Sequence, residues 1–389
     1  MTVLSTRVLN RTFLSRQLLA ERVPRRAADV VQHLVAVQGQ ESDSPYLGLW
    51  ARAVGFQRDD LAELLRDRTV VRSALLRGTQ HLCTGDDYRW LRPTLQGSLE
   101  RMAGRGGRLA GCDPVEFAEA AVEVMAGGVL TRPEIARRLA VRFPEADAAE
   151  LALVVHLRFA LLHPPPAGMW GHRGRVGCVP AEVWLGRPLA EPDTATLLRR
   201  YLAAFGPASV KDFQVWSGLT RTGSLFQGMA AGEEPQAGKE PQAGKEQRAG
   251  REHQAGKGPR GVRDEGLRVF RDDAGTELYD LPGAPIDDGD RTVPVVFLPE
   301  FDNAVLGHAD RARIIRPGDR ALVMPGWSIV RPTVLVDGFV EATWSVRGST
   351  VTIAPFRPLA PGDRAAVEEA AARLVDFVAP DGRPEIVWA

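Results

Sequence analysis

The sequence predicts an α+β chain of three winged-helix units in tandem, followed by a C-terminal β-rich element. Three observations predict it. The order helix, helix, short hairpin recurs up to residue 290; beyond Asp290 helical spacing gives way to strand patterns closed by one helix; and 389 residues at 44% apolar content suffice for packed cores. The units are expected at 1–110, 111–190 and 191–290, and the β-rich element at 291–389.

In the first unit Val30, Val31, Leu34, Val35 and Val37 keep helical spacing over 25–37, after a Pro24 that suits a helix entry. Asp59 or Asp60 is placed to cap a second helix over Leu61, Leu64 and Leu65. Val70, Val71, Leu75 and Leu76 then lead through a bend at Gly78 to His81 and Leu82, the hairpin. The second unit repeats this order. Residues 117–125 are helical up to Gly127-Gly128, Thr131 and Glu134 make a capping-box pattern, and a third helix is expected over 148–162, stopped by Pro164-Pro165-Pro166. The Gly-punctuated basic stretch 169–176 is its wing. In the third unit 194–205 is amphipathic, Ser209 caps 210–216, and 267–270 with 277–281 form the wing.

Inside that unit, 234–261 carries the hexads PQAGKE, PQAGKE, QRAGRE and HQAGKG. Almost no large apolar residue is present to offset the entropy of ordering, so a flexible surface insertion is expected. Farther on, strands are expected over 293–298, 334–336, 339–344 and 351–353, with Asp337-Gly338 as a hairpin turn and a helix over 364–377 ending the chain.

Net charge is zero, 49 basic against 49 acidic residues, yet 1–110 holds 17 Arg against 11 acidic residues. An excess of that kind suggests one basic face on a neutral body. No apolar run approaches the roughly 18 residues of a membrane span, and Arg7, Arg11 and Arg16 interrupt the N-terminus, so neither a span nor a signal peptide is expected. Cys83, Cys112 and Cys178 are odd in number and widely spaced, which excludes a disulfide framework and a CxxC knuckle and suggests the cytosol. HExxH, GxxxxGK[ST], GxSxG and DxDxDG are absent, and the histidines outside the hexads show no ligand spacing. No cofactor is expected. Trp50, Trp90, Trp170, Trp184, Trp216 and Trp327 are expected in cores instead of as base-stacking platforms.

The stretch VQGQESDSPYLGLW at 37–50 stands out. Gln38 and Gln40 are two apart, so an extended backbone points both carboxamides to one side, whereas a helix separates them by about 200°. Gly39 and the run toward Pro45 favour the extended form. A QxQ tripeptide alone has little specificity.

It becomes informative in company. With LNRT at 9–12, LLRGTQHL at 75–82, YLAAFGPA at 201–208, WSGL at 216–219, LPEFDN at 298–303, His308 and PTVLVDG at 332–338, the chain resembles the AlkZ-type winged-helix DNA glycosylases, which are associated with resistance to DNA-crosslinking natural products. The resemblance runs nearly end to end, leaving out the hexads. It implies a catalytic pair at Gln38 and Gln40 in the mouth of a C-shaped cleft of tandem winged helices, acting on double-stranded DNA that carries alkylated or crosslinked guanine. A related branch has QxD, so Gln40 places the chain with the crosslink-directed branch. The family's middle residue is usually small or apolar; glycine at 39 has no side chain to anchor the turn.

The chemistry is consistent with such a pair. An N7-alkylated guanine is already cationic and leaves as a neutral base, so positioning a water and stabilising an oxocarbenium-like sugar suffices. A base tethered to the opposite strand cannot enter the tight pocket of ordinary base flipping, so an open basic cleft is expected. Arg77, Thr79 and His81 are candidates to touch phosphate or lesion, with a structural role for His81 as the alternative. Asn303, His308, Arg311 and Arg313, beside Asp302, are either DNA contacts or an inward-facing network. The rival functional reading is a non-catalytic winged-helix regulator, which predicts two-fold symmetry and palindromic sites; no obvious dimer helix favours it, and a monomer in the cytoplasm, at the nucleoid, is expected.

Overall fold

In the computed structural model, which describes residues 2–109, 112–233, 266–326 and 329–389, one local order, helix, short strand, two helices, two-stranded hairpin, forms twice and recurs a third time without its short strand. The hexad segment and Trp327 lie outside the described residues. After β1 (Val3–Leu4) and α1 (Thr6–Arg16), the first round comprises α2 (Ala27–His33), β2 (Val37–Gln38), α3 (Ser44–Trp50), α4 (Arg58–Arg66), β3 (Val70–Ala74) and β4 (Gln80–Thr84). A long helix α5 (Gly85–Ala103) leads to the second: α6 (Pro114–Met125), β5 (Leu130–Thr131), α7 (Arg132–Arg142), α8 (Ala148–Arg158), β6 (Leu161–Leu162) and β7 (Gly177–Pro180). Beyond α9 (Ala181–Leu185) come α10 (Thr194–Phe205), α11 (Val210–Ser217), α12 (Gly223–Ala230), β8 (Arg268–Asp272) and β9 (Glu277–Asp280).

The first two sheets have the same strand order, β2-β4-β3 and β5-β7-β6, so the strand between the first two helices always pairs with the last strand of the hairpin. In the third round a single bridge from Ala208 to Tyr279 on β9 takes that place, and β1 adds parallel to β8 on the far side. The C-terminal element contains β10 (Val296–Leu298), α13 (Asn303–Leu306), α14 (Arg320–Val323), β11 (Thr333–Val336), β12 (Phe339–Arg347), β13 (Thr350–Pro355), α15 (Pro361–Val378) and β14 (Glu385–Trp388), with sheet order β10-β11-β12-β13-β14. The expected turn at Asp337-Gly338 joins β11 to β12, both residues having positive φ.

Several boundaries differ from expectation for local reasons. Helix α2 ends early because Val35 takes φ +69, after which the chain is free to extend into β2. Asp60 does not cap α4; it is the third helical residue of a capping box whose cap is Gln57. Leu161 and Leu162 leave the helix and pair with Val179 and Pro180, so the wing is the 163–176 loop between β6 and β7. Pro45 sits inside the first turn of α3, where its missing N–H costs nothing. The chain closes on β14, parallel to β13, and not on the helix.

One apolar core runs through all the units, with a small satellite of Leu4, Leu9, Phe270 and Leu278 under β1. Its centre is aromatic: Tyr201 lies 4.8 Å from Trp216 and Phe205 5.4 Å from it, ring to ring, contacts worth about 0.5–1.5 kcal/mol each beyond area. Trp50 and Trp216 are buried, as expected of core tryptophans. Helix α1 pins the rest together: Asn10 Nδ2 donates to Arg313 O and Gly338 O (2.6 and 2.8 Å), and Arg16 pairs with Asp280 at 2.6 Å.

Candidate active site

The glutamine segment occupies the first strand of the first winged-helix round and the connection that follows it. Strand β2 lies antiparallel to β4 with Val37 opposite Leu82 and Gln38 opposite His81. Gly39 continues that ladder, its N–H donating to Gln80 O at 2.8 Å, while its own carbonyl accepts from Arg72 Nε at 3.1 Å. Backbone and a buried guanidinium therefore anchor the position at which a side-chain anchor is missing. An added Cβ there meets Leu82 Cδ1 at 2.7 Å, and Leu82 is fully buried. Gly39→Ala is expected to cost about 1–3 kcal/mol of stability by overpacking, with a Leu82→Val companion restoring part of it in a denaturant titration.

The two carboxamides sit differently. Gln38 is buried, 5% exposed, and Gln40 is exposed. Gln38 Oε1 accepts from the backbone N–H of Gln40 at 2.6 Å, and its Nε2 points to Thr79 Oγ1 at 3.5 Å. Gln40 Oε1 in turn accepts from Gln80 N at 3.4 Å. Each amide oxygen is thus oriented by a backbone donor and keeps a second lone pair. Behind them Asn303 holds the strand: its Oδ1 accepts from Gln38 N at 3.1 Å and its Nδ2 donates to Ala36 O at 2.6 Å. Asp302 caps α13 through Ala304 N at 2.8 Å and pairs with buried Arg52 through two bonds of 2.8 and 2.9 Å.

The remaining candidates divide. Thr79 stands beside the Gln38 amide and Asn303 beneath its backbone. Arg77 and Arg311 are half-buried and donate to Trp216 O and Val305 O respectively, and burial together with Arg311 pushes the Arg77 guanidinium down to about 10. His81, His308 and Arg313 face inward: His81 Nδ1 donates to Thr79 O, His308 Nε2 to Phe205 O and Arg313 Nη1 to Pro207 O. Of the two readings, DNA contact or inward network, the burial of these three and of Asn303 and the backbone bond each makes favour the second.

Burial also fixes the charge state of two of them. His81 is pushed down to about 3 by desolvation and by Arg77, and His308 is likewise depressed by desolvation and Arg313. Imidazoles depressed in the folded state give stability that is complete above the ordinary value of 6.5 and is lost as pH falls toward the folded value. Each is expected to remove about 1 kcal/mol per pH unit below that point. Denaturant midpoints at pH 7 and pH 5 measure it, and a His308→Gln variant should show a shallower decline.

Around Gln40 the charge is not the expected basic one. Glu41 and Asp43 follow it directly, and half-buried Glu300 is raised by desolvation and by Glu41. Asp43 accepts from Gly171 N at 2.6 Å and pairs with Arg173 at 2.7 Å, which ties the second wing to the glutamine segment. Carboxylates beside the pair suit a cation as the reacting group. The sequence reading missed Gln80, Arg72 and Arg173, whose partners lie on other elements; the only local signal was Gln80 inside a strand.

Comparison with known proteins identifies the family. Residues 31–377 match the family described as DNA glycosylase AlkZ-like. The chain is 27% identical over 382 residues, covering 88% of each chain, to a protein of Streptomyces sahachiroi named interstrand DNA cross-link repair glycosylase. The solved Streptomyces sahachiroi DNA glycosylase AlkZ has the same fold, with a TM-score of 0.76 at 20% identity over the whole of both chains. With that family spanning most of its length, the chain belongs to the AlkZ-like DNA glycosylases.

Proposed function

We propose that this glycosylase hydrolyses the N-glycosidic bond of bulky N7-alkylguanine in duplex DNA and unhooks interstrand crosslinks, with Gln38 and Gln40 as its catalytic residues. The single observation that carries the reading is the pair itself: two carboxamide oxygens on one short segment, each oriented by a backbone N–H, one buried and one at the surface. Neither amide is a useful base near neutrality, so the work left to them is orientation of water and stabilisation of positive charge on the departing sugar. Gln38 Oε1, fixed on one side by Gln40 N, presents its free lone pair to that water; Glu41, Asp43 and Glu300 add negative potential for a cationic base. Selectivity for damage then follows from modest catalysis, because an uncharged guanine is too poor a leaving group for two amides to release.

The reading includes a monomer acting in the cytoplasm on damaged DNA of any sequence, as a self-resistance protein. Incubation with a panel of N7-alkylated and crosslinked duplexes, scored by abasic sites, is the test. Abasic sites are expected from cationic adducts and not from undamaged duplex; release confined to neutral lesions would overturn the proposal.

A further inference from the structure

Base excision leaves one buried group of polar side chains unused. His156 near the end of α8, His163 just after β6 and Cys178 on β7 each offer one ligand atom, all within 4.8 Å of one another, and all three residues are buried. Sequence spacing hid them, because the β6–β7 hairpin has to fold back on α8 before they meet. The imidazoles lie 5.1 Å apart, centre to centre, at 32°, and Cys178 Sγ is 3.7 Å from His163 Nδ1.

Their hydrogen bonds leave lone pairs over. Gly177 O, which can only accept, lies 3.0 Å from His163 Nδ1, so that nitrogen carries the proton and Nε2 does not; Nε2 is buried with no partner. A backbone carbonyl fixing one ring nitrogen while the other stays bare is the usual support of a metal-binding histidine. His156 Nε2 is 3.1 Å from the Gln80 carboxamide, and its Nδ1 is also buried without a partner. Gln80 Oε1 is itself buried and unpaired, so a half-turn of that amide lets His156 Nε2 donate to it and frees Nδ1 as a lone pair. Two bare buried ring nitrogens beside a thiol are costly as they stand, and a cation satisfies both.

We propose that His156, His163 and Cys178 bind a single borderline-soft transition-metal ion, zinc in the first instance, at the seam between the first and second winged-helix rounds. Two imidazoles and a thiolate suit zinc better than magnesium or calcium, and water takes the fourth position. Bonds of about 2.0–2.3 Å to a tetrahedral ion bring donors to about 3.3–3.8 Å, closer than the 4.8 Å within which one ligand atom of each residue now lies, so binding requires the side chains to rotate inward and His163 to turn Nε2 toward the thiol that now sits nearest its Nδ1. Binding breaks the Cys178 S–H bond, forms the metal–sulfur bond and releases the proton to solvent. The seam location gives the ion a consequence: His163 N donates to Arg72 O at 2.9 Å, and Gln80, which faces His156, also holds Gly39 and Gln40.

Chelator-treated full-length protein titrated with Co²⁺ tests this. One equivalent should bind with the visible bands of a tetrahedral ion and a thiolate-to-cobalt charge-transfer band, both bleached by one equivalent of Zn²⁺. Cys178→Ser should lose the charge-transfer band, and a His163→Gln, Cys178→Ser double variant should lose stoichiometric binding along with the rise in melting temperature that Zn²⁺ gives the wild type. An octahedral spectrum without charge transfer in the wild type, or unchanged stoichiometry in a double variant with native circular dichroism, overturns the site. Should the variants fail to fold, the wild-type cobalt spectrum decides alone.

Discussion

Replacing Gln38 and Gln40 together by alanine should slow release of an N7-alkylated base by about 10²–10³-fold, the loss expected when preorganised groups facing a developing charge are removed, while affinity for the duplex stays nearly unchanged. The single variants should behave differently, because the two side chains have different structural duties. Gln40 is exposed and the only described bond of its side chain is a long one from Gln80 N, so Gln40→Ala should leave stability intact and report on chemistry alone. Gln38 is buried and accepts the 2.6 Å bond from Gln40 N, so Gln38→Ala also frees a backbone donor and should cost about 1 kcal/mol. Single-turnover rates on one N7-alkylguanine duplex, read beside unfolding curves, separate the two effects. A double variant with wild-type turnover would remove the pair from the chemistry.

The glutamine pair was legible in the sequence because its signal is local. QxQ on an extended segment needs only Gly39 between the two residues and a helix ending before it, and both hold. The capping box of Thr131 and Glu134 and the turn at Asp337-Gly338 were legible for the same reason. What holds the pair was not. Asn303 lies 265 positions from Gln38, and nothing in LPEFDN tells whether its amide faces water or backbone. Histidine and arginine imply exposure by default, so His81, His308 and Arg313 looked available for DNA until their buried carbonyl partners were in place.

Two helices escaped for a related reason. Helix α1 buries Arg11 and Arg16, whose charges interrupt the apolar pattern in the sequence and are neutralised only by Asp337 and Asp280 far along the chain. Helix α5 begins at Gly85, contains Pro93 and passes Gly97, residues that suggest breaks, yet Thr84 caps it and nine of its side chains pack inward. Strand β14 has four residues and pairs in parallel, so it carries no turn signal linking it to its partner.

Asp302→Ala should be the most damaging single change near the site, at about 3–5 kcal/mol, because it strands a charge in the core. Arg52 is 1% exposed and gives two bonds to Asp302, and its other acceptors, Gln17 O, Gly48 O and, at 3.5 Å, Gln17 Oε1, are all uncharged, so none of them replaces the lost carboxylate. The same carboxylate caps α13, whose first residue is Asn303. Loosening that turn releases the amide that holds Gln38 N and Ala36 O, so the variant should lose catalytic rate even at temperatures where it stays folded. Asp302→Asn keeps an acceptor for the cap but loses the charge, and should fall between the two. Replacing both partners, Arg52→Met with Asp302→Leu, should recover much of the stability without the rate, since the buried charge is gone while the cap is still missing. Denaturant midpoints and single-turnover rates for the four proteins distinguish these outcomes. An Asp302→Ala protein as stable as one changed at exposed Asp381 would mean that Arg52 finds water or another acceptor, and that Asn303 does not depend on this ion pair for its position.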